Sequence, residues 1–291
     1  MTNSSYFLVI REKLSVSIVI STSWVGDVPV WVEKAIQNHE RYAKLHSYTY
    51  MHHRHNREVI TSTPDQVSES MLFAVWQQIL DVRALLEDKN VEYVFKTDLD
   101  SIFTNFTKDL SPLKKFKADF IFTGDSNDVF NGGHFLVKNS EWSRTFLDLW
   151  VSYREIIWED LMTTHQSSDG RLLDQPVLNM LLNKSESLSA ANGREAFNAM
   201  NGFAGNTERK HKFFSYTHAP TAWWRLKLAA SLIDKDLQTH MQIIKQSWFN
   251  SYLPGTFRSG SWKRGDRMIH FVGSGKSEMI NFMDDARNFR G

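Results

Sequence analysis

The sequence contains no cysteine, which excludes disulfide bonds and thiolate metal sites. Any metal site in this chain must therefore be built from carboxylates, imidazoles and other oxygen or nitrogen ligands. A large charge of one sign is also missing, because 34 basic and 33 acidic residues leave a formal net charge of +1. This balance gives no electrostatic reason to expect a nucleic-acid partner.

Long hydrophobic runs are missing as well. The apolar run over residues 6–10 is cut by three charged residues, and the next run, over residues 16–20, has only the length of a strand. Neither run is long enough to span a membrane, and neither resembles the hydrophobic segment of a signal peptide. We therefore expect no membrane span and a soluble, cytoplasmic protein.

The pattern that remains is an alternation of strands and helices. Short apolar runs predict strands over residues 15–21, 91–95, 118–123, 134–137 and 268–272. Amphipathic stretches predict helices over residues 31–45, 71–87, 172–182, 223–237 and 240–248, one that Asn139 caps, and one after residue 275. Strands that alternate with helices through the first half of the chain indicate an α/β layered domain.

Two carboxylates, Asp98 and Asp100, follow the predicted strand 91–95 almost directly. Residues i and i+2 of an extended chain point to the same side, so the two charges repel each other unless a cation binds near them. A hard divalent cation suits such a pair and could in turn hold a diphosphate. Because ligands of α/β sheets bind beyond the carboxyl ends of strands, this explanation is as good as two surface aspartates in a turn.

A second group of polar residues surrounds the last predicted strand. His270 lies inside that strand, and Gly273, Ser274, Gly275 and Lys276 follow it. A histidine on an apolar strand is usually a core residue with its hydrogen bonds satisfied. However, a glycine turn lets the backbone approach a phosphate closely, and a lysine adds positive charge. Together these residues favour a metal and diphosphate site.

Two shorter motifs leave a structural and a functional explanation open. Asn131 and Gly132 precede a predicted strand, where they could form a hairpin turn or bring the backbone close to a ligand. In the second of these cases Asn131 would offer its amide to sugar hydroxyls. Asp174 and Gln175 stand just before a proline, and a helix cap explains them best when they are taken alone.

The order of these motifs resembles the retaining α-glycosyltransferases of family 34, which include galactosyl-, mannosyl- and xylosyltransferases. The resemblance covers most of the chain, from about residue 15 to residue 276, and residues 131–150 are its most specific part. It rests on N-H-E-R-Y-A-K-L-H-S-Y from residue 38, T-D-L-D-S-I-F-T-N from residue 97, F-N-G-G-H-F-L-V-K-N-S-E-W-S-R-T-F-L-D-L-W from residue 130, D-Q-P-V-L from residue 174 and G-D-R-M-I-H-F-V-G-S-G-K from residue 265.

The resemblance implies a GT-A fold, a Rossmann-like mixed sheet flanked by helices, with Asp98, Asp100 and His270 binding Mn²⁺, or Mg²⁺ in its place. Asp174 and Gln175 match the acid–glutamine pair of the active site, which we expect to be catalytic. The residues expected to bind the nucleotide-sugar are Ser21, Thr22, Asp98, Leu99, Asn131, Gly132, Gly273 and Lys276.

The implied organisation is a single catalytic domain over residues 1–291. Residues of about 15–130 would form the nucleotide-sugar half, and residues of about 131–291 the acceptor side and a closing segment. The donor would be a UDP- or GDP-linked sugar, and the acceptor a glycan or another hydroxyl compound. Residues 183–248 carry none of these motifs, so the sequence does not identify the acceptor.

Two alternatives compete with a glycosyltransferase. Phosphatases of the haloacid dehalogenase type also place Asp-x-Asp after a hydrophobic strand, and Asp284 and Asp285 could imitate their later acidic pair. Their motif, however, normally lies near the N-terminus and continues with small residues. The other alternative is a sugar-binding protein that has lost catalysis on the same fold, since a fold does not determine function.

Overall fold

The computed structural model describes residues 18–56, 66–124, 130–164, 174–175, 178, 239–256, 260–272 and 276–291. Its strands are β1 (Ile18–Val25), β2 (Thr49–His55), β3 (Tyr93–Thr97), β4 (Ser101–Phe103), β5 (Phe120–Gly124), β6 (Phe130–Lys138), β7 (Met241–Ile244) and β8 (Met268–His270). Its α-helices are α1 (Val30–Leu45), α2 (Gln66–Leu85), α3 (Glu141–Thr164) and α4 (Lys276–Asp284). Short 3₁₀ helices cover Ser111–Phe116, Gln246–Trp248 and Ala286–Asn288.

Six strands form one mixed sheet in the order β2-β1-β3-β6-β5-β7. β1 runs parallel to β2 and β3, and β5 runs parallel to β7, whereas β6 is antiparallel to both of its neighbours. The start of β6 therefore lies at the edge where β3 ends, with Thr97 opposite His134. A separate two-stranded sheet pairs β4 with β8 and places Ser101 opposite His270.

Helices cover both faces of the large sheet. On one face, Val94 packs in a core cluster with Trp76 of α2 and Trp150 of α3. On the other face, Phe95 packs in a second cluster with Tyr42 of α1. Adjacent residues of β3 thus enter different cores, as the alternation of side chains along a strand requires. The predicted class, an α/β fold with a Rossmann-like mixed sheet flanked by helices, is confirmed.

The first strand is described from Ile18 and continues to Val25, four residues beyond the predicted end at Ser21. The helix predicted over residues 240–248 is wrong, because Met241–Ile244 is an edge strand paired with β5. A short apolar run fits a strand and a helix equally well, and here the neighbouring strand decides. The N-cap of α3 lies one residue after the predicted Asn139. The hydroxyl of Ser140 accepts a hydrogen bond from the Ser143 amide.

The helices predicted over 31–45 and 71–87 agree with α1 and α2, and a helix does follow residue 275. The predicted helix over 223–237 lies outside the described residues, as does most of the one over 172–182. Within the described ranges, no helix combines the length and the apolar character needed to cross a bilayer.

Candidate active site

Three predicted metal ligands meet at the carboxyl end of β3. Ligand atoms of Asp98, Asp100 and His270 all lie within 4.8 Å of one another, which no other group of histidine and acidic side chains achieves in the described part of the chain. Nε2 of His270 is 3.1 Å from Oδ1 of Asp100, although 170 positions separate them. The pairing of β4 with β8 is what brings them together. Carboxylate oxygens and one imidazole nitrogen fit Mn²⁺ or Mg²⁺.

The orientation of the His270 ring is fixed from behind by Asn250. Nδ1 of His270 lies 2.7 Å from Oδ1 of the fully buried Asn250. The amide nitrogen of Asn250 donates to the Gly124 carbonyl and to the Tyr252 hydroxyl, so its oxygen faces the imidazole. Nδ1 therefore carries a proton and Nε2 faces the aspartates. Metal-binding histidines are commonly held in this way by a hydrogen bond to the other ring nitrogen.

Lys276, the first residue of α4, lies beside the same cluster. Its Nζ donates to Oδ2 of Asp100 at 3.2 Å and lies 4.7 Å from the centre of the Trp31 ring. Burial by itself would raise the pKa of Asp100, but His270 and Lys276 outweigh it and hold that pKa below its ordinary range. The Lys276 side chain is 34% exposed, so an anion could reach its ammonium from solvent. Gly273 lies outside the described residues.

The glycines at the start of β6 allow close contact with acidic side chains on two sides. A Cβ atom added at Gly133 would lie 2.4 Å from Oδ2 of Asp98. A Cβ atom at Gly132 would lie 3.1 Å from Cα of Gln175 and 3.3 Å from Oδ2 of Asp174. The Gly132 amide also donates to Oε1 of Gln175 at 3.0 Å. The backbone of β6 therefore lies between the predicted metal ligands and the predicted acid–glutamine pair.

Asp174 is buried beside this backbone. Its carbonyl accepts a hydrogen bond from the Trp150 indole at 3.0 Å, which anchors it to α3. Burial raises the pKa of the Asp174 carboxyl to about 6, although the nearby Lys96 ammonium opposes this. The Asp174 carboxyl therefore titrates closer to neutral pH than an exposed aspartate does.

Asn131 is held internally, and His134 is its partner. Oδ1 of Asn131 accepts from the His134 backbone amide at 2.9 Å and lies 3.1 Å from its Nδ1. Nε2 of His134 is 2.8 Å from the Ser101 hydroxyl, which itself donates to the Asp98 carbonyl. Burial lowers the pKa of His134 well below its ordinary value, so this ring is neutral. The network joins the start of β6 to the Asp-x-Asp turn.

Three other predicted binding residues lie in the interior. Ser21 and Thr22 are buried within β1, and the Thr22 hydroxyl is 2.8 Å from the hydroxyl of Tyr50. The Leu99 side chain belongs to an apolar cluster behind the turn, with Val32 among its members. Contact of Ser21, Thr22 and Leu99 with a nucleotide-sugar stays a prediction.

Sequence analysis missed Lys96, His134 and Asn250. Lys96 had a visible signal, because a lysine two residues before Asp98 in an otherwise apolar run must point to the same side as that aspartate. His134 and Asn250 had none, since their contacts with Ser101 and His270 join segments that are distant in the sequence.

Comparisons with known proteins give similarity to glycosyltransferases. The galactosyl transferase GMA12/MNN10 family matches residues 108–212, which include Asn131, Gly132, Asp174 and Gln175. "Probable glycosyltransferase 6" of Oryza sativa subsp. japonica is 31% identical over 132 residues, covering 40% of this chain and 27% of that protein. "Probable alpha-1,6-mannosyltransferase MNN10" of Saccharomyces cerevisiae is 26% identical over 155 residues, covering 43% of this chain and 39% of the yeast protein.

A solved structure of a glycosyltransferase involved in glycosylation of the major capsid of PBCV-1 aligns with 92% of this chain and 98% of its own, at 10% identity and a TM-score of 0.49. Residues 108–212 resemble the galactosyl transferase GMA12/MNN10 family, which agrees with the family expected from the motifs. The names of the rice and yeast relatives agree with the expected glycosyltransferase class. The matched stretch spans about a quarter of the length of the rice relative.

Proposed function

We propose that this chain transfers a sugar from a UDP- or GDP-linked donor to a hydroxyl of a glycan or another acceptor, with retention of the α configuration. The observation that supports this most directly is the joining of two groups of side chains across one strand. Asp98 and Asp100 lie on one side of the start of β6, and Asp174 and Gln175 lie on the other. A nucleotide-sugar carries a diphosphate and a sugar that are joined at the anomeric carbon. Each group of side chains would bind one of these two parts.

On the diphosphate side, Asp98, Asp100 and His270 would hold Mn²⁺, with Mg²⁺ as the alternative. A divalent cation bound there supplies positive charge that stabilises a leaving diphosphate. Lys276 would add a second positive charge, because its ammonium already contacts Asp100 and is open to solvent. Fixed charges act most strongly where negative charge develops in the transition state.

On the sugar side, Asp174 and Gln175 would position the donor and the acceptor. Retention could proceed through attack of a carboxylate on the anomeric carbon, which forms a glycosyl–enzyme ester. It could also proceed through attack by the acceptor from the side of the leaving group, with the departing phosphate taking the acceptor's proton. We favour the second route. In that route neither Asp174 nor Gln175 bonds to the sugar. The amide oxygen of Gln175 is a weak nucleophile, and it already accepts a hydrogen bond from the Gly132 amide.

The organisation that we propose is a single catalytic domain. Residues of about 15–130 would bind the nucleotide, and residues of about 131–291 would contribute the acceptor side. The large sheet runs through both halves, because β6 and β7 complete the sheet that β1, β2, β3 and β5 begin.

The test is turnover of a panel of UDP- and GDP-linked galactose, xylose and mannose donors with Mn²⁺, followed by released nucleotide. A bound donor at about 100 times its dissociation constant should also add about 2.7 kcal/mol to the free energy of unfolding. Asp100→Asn should abolish turnover while the protein stays folded. Asp285→Asn is the matched control, since Asp285 pairs with Arg287 after α4 and lies outside the cluster.

Each alternative result has a definite meaning. Full activity in excess chelator would overturn the metal dependence, and a β-linked product by NMR would overturn retention. Donor binding without turnover would indicate a sugar-binding protein. Hydrolysis of a phosphomonoester would indicate a phosphatase, although Asp284 and Asp285 pair with Lys34 and Arg287 rather than joining the aspartate cluster.

A further inference from the structure

Lys96 carries a charge in an unusual place. It lies on β3 between Phe95 and Thr97, and its side chain is only 2% exposed. Lysines are almost never fully buried unless they are paired, because removing an ammonium from water is costly. A packing role alone would be served by an apolar residue, as at the other positions of Tyr93–Phe95. The contacts of the ammonium therefore need a separate explanation.

Those contacts link the two sides of the candidate site. Nζ of Lys96 donates to Oδ1 of Asp98 at 2.6 Å and to the carbonyl oxygen of Gly132 at 3.2 Å. The amide of that same glycine donates to Oε1 of Gln175 at 3.0 Å. A hydrogen-bonded chain thus runs from Asp98 through Lys96 and the Gly132 backbone to Gln175.

The carboxylate of Asp98 is also confined on its second oxygen. Oδ1 is held by the ammonium, while Oδ2 faces Gly133, where even a methyl group would not fit. The position of the Asp98 carboxylate relative to the β6 backbone is thus set by Lys96 and by Gly133.

We propose that Lys96 is a positioning residue that holds the Asp98 carboxylate in register with Gly132 and Gln175, so that the diphosphate and the sugar of one donor fit the site together. This rests on the proposed function. The role differs from simple neutralisation of buried charge. The Lys96 ammonium repels a cation bound at Asp98, so its removal should leave cation affinity unchanged or increase it. Turnover should fall, because Asp98 is no longer held in position relative to Gly132 and Gln175.

The experiment compares Lys96→Met with wild type in kcat, donor KM and Mn²⁺ affinity, the last from electron paramagnetic resonance. We expect kcat to fall about tenfold or more, donor KM to change less than about threefold, and Mn²⁺ to bind at least as tightly. Lys96→Gln, which removes the charge but keeps a neutral amide NH₂ group, gives the comparison of kcat with Mn²⁺ affinity where the Met variant does not fold. Lys114→Met is the matched control, because Lys114 forms an exposed ion pair with Glu92.

A double-mutant cycle with Gln175→Leu tests the link itself. Side chains that act through one hydrogen-bonded chain give non-additive losses, so the double variant should be about as slow as the slower single variant. Additive losses, a kcat within about twofold of wild type for Lys96→Met, or Mn²⁺ binding lost in parallel with kcat would each overturn the proposal. If wild type consumes no donor at all, the proposed function fails instead, and Mn²⁺ affinity in Lys96→Met still tests the contact with Asp98.

Discussion

Gly133→Ala is the smallest substitution that we expect to disturb the proposed metal site without unfolding the protein. The added Cβ would lie 2.4 Å from Oδ2 of Asp98, and Cβ contacts below 3.0 Å are essentially never seen, so the carboxylate must retreat by about 0.6 Å. Metal–ligand distances vary by only about 0.2 Å around their ideal values. We therefore expect Mn²⁺ affinity to fall by about tenfold to a hundredfold. Turnover should fall by about a hundredfold.

The folded state should survive this change. Gly133 does not have a positive φ, so alanine brings no backbone strain, and alanine is favoured over glycine within a strand by about 0.5–1 kcal/mol. Mn²⁺ titration, donor turnover and thermal unfolding are the three measurements needed. Unfolding close to that of wild type would show that the losses arise at the site.

Gly132→Ala is the matched control on the other side of the strand. Its Cβ would press on Gln175 and Asp174 at 3.1 and 3.3 Å, and no atom of Asp98 is among its nearest neighbours. Turnover should fall while Mn²⁺ affinity stays near that of wild type. If Gly133→Ala binds Mn²⁺ and turns over donor like wild type, the close approach of Asp98 to β6 has no functional role and the reasoning is refuted.

Three further perturbations address single contacts. Asn250→Leu removes the partner of His270 Nδ1 and should weaken Mn²⁺ binding by about tenfold to a hundredfold, measured by metal titration at constant pH. Trp31→Leu removes the ring beside Lys276 and should raise donor KM by a factor of about two to five, whereas Trp31→Phe should retain most of the wild-type value. Because burial raises the pKa of Asp174 from 3.8 to about 6, its protonated form stabilises the folded state below about pH 4, and that contribution is lost as the pH rises to 6. Asp174→Asn should remove this slope, worth at most about 3 kcal/mol in urea unfolding between pH 4 and 7, and should leave measurable turnover.

The parts of the fold that could be predicted depend on neighbours in the sequence. α1 and α2 follow from helical periodicity, and β3 follows from a short apolar run. Asp98 and Asp100 could be placed at the end of β3 for the same reason. The motif order added the expectation that His270 and Lys276 would join them, and the structure places both within hydrogen-bonding distance of Asp100.

The parts that could not be predicted depend on which strands pair. Met241–Ile244 is a strand that pairs with β5, and the local sequence does not show this pairing. Asn250 lies shortly after that strand. Because the strand was predicted as a helix, the contact of Asn250 with His270 was not expected. Lys96 was overlooked because a lysine in a strand is normally solvated, and nothing in the local sequence shows that Gly132 supplies a second acceptor.

The direction of β6 explains why the site needs this particular topology. In a fully parallel sheet, only the carboxyl ends of strands meet at the edge where ligands bind. β6 runs in the opposite direction, so its first residues arrive at that edge and Thr97 pairs with His134. The side-chain-free backbone of Gly132 and Gly133 can then lie between Asp98 and Gln175. A sequence pattern specifies neither the direction nor the neighbour of a strand, so the position of this motif in the chain could not show that it separates the two sides of the site.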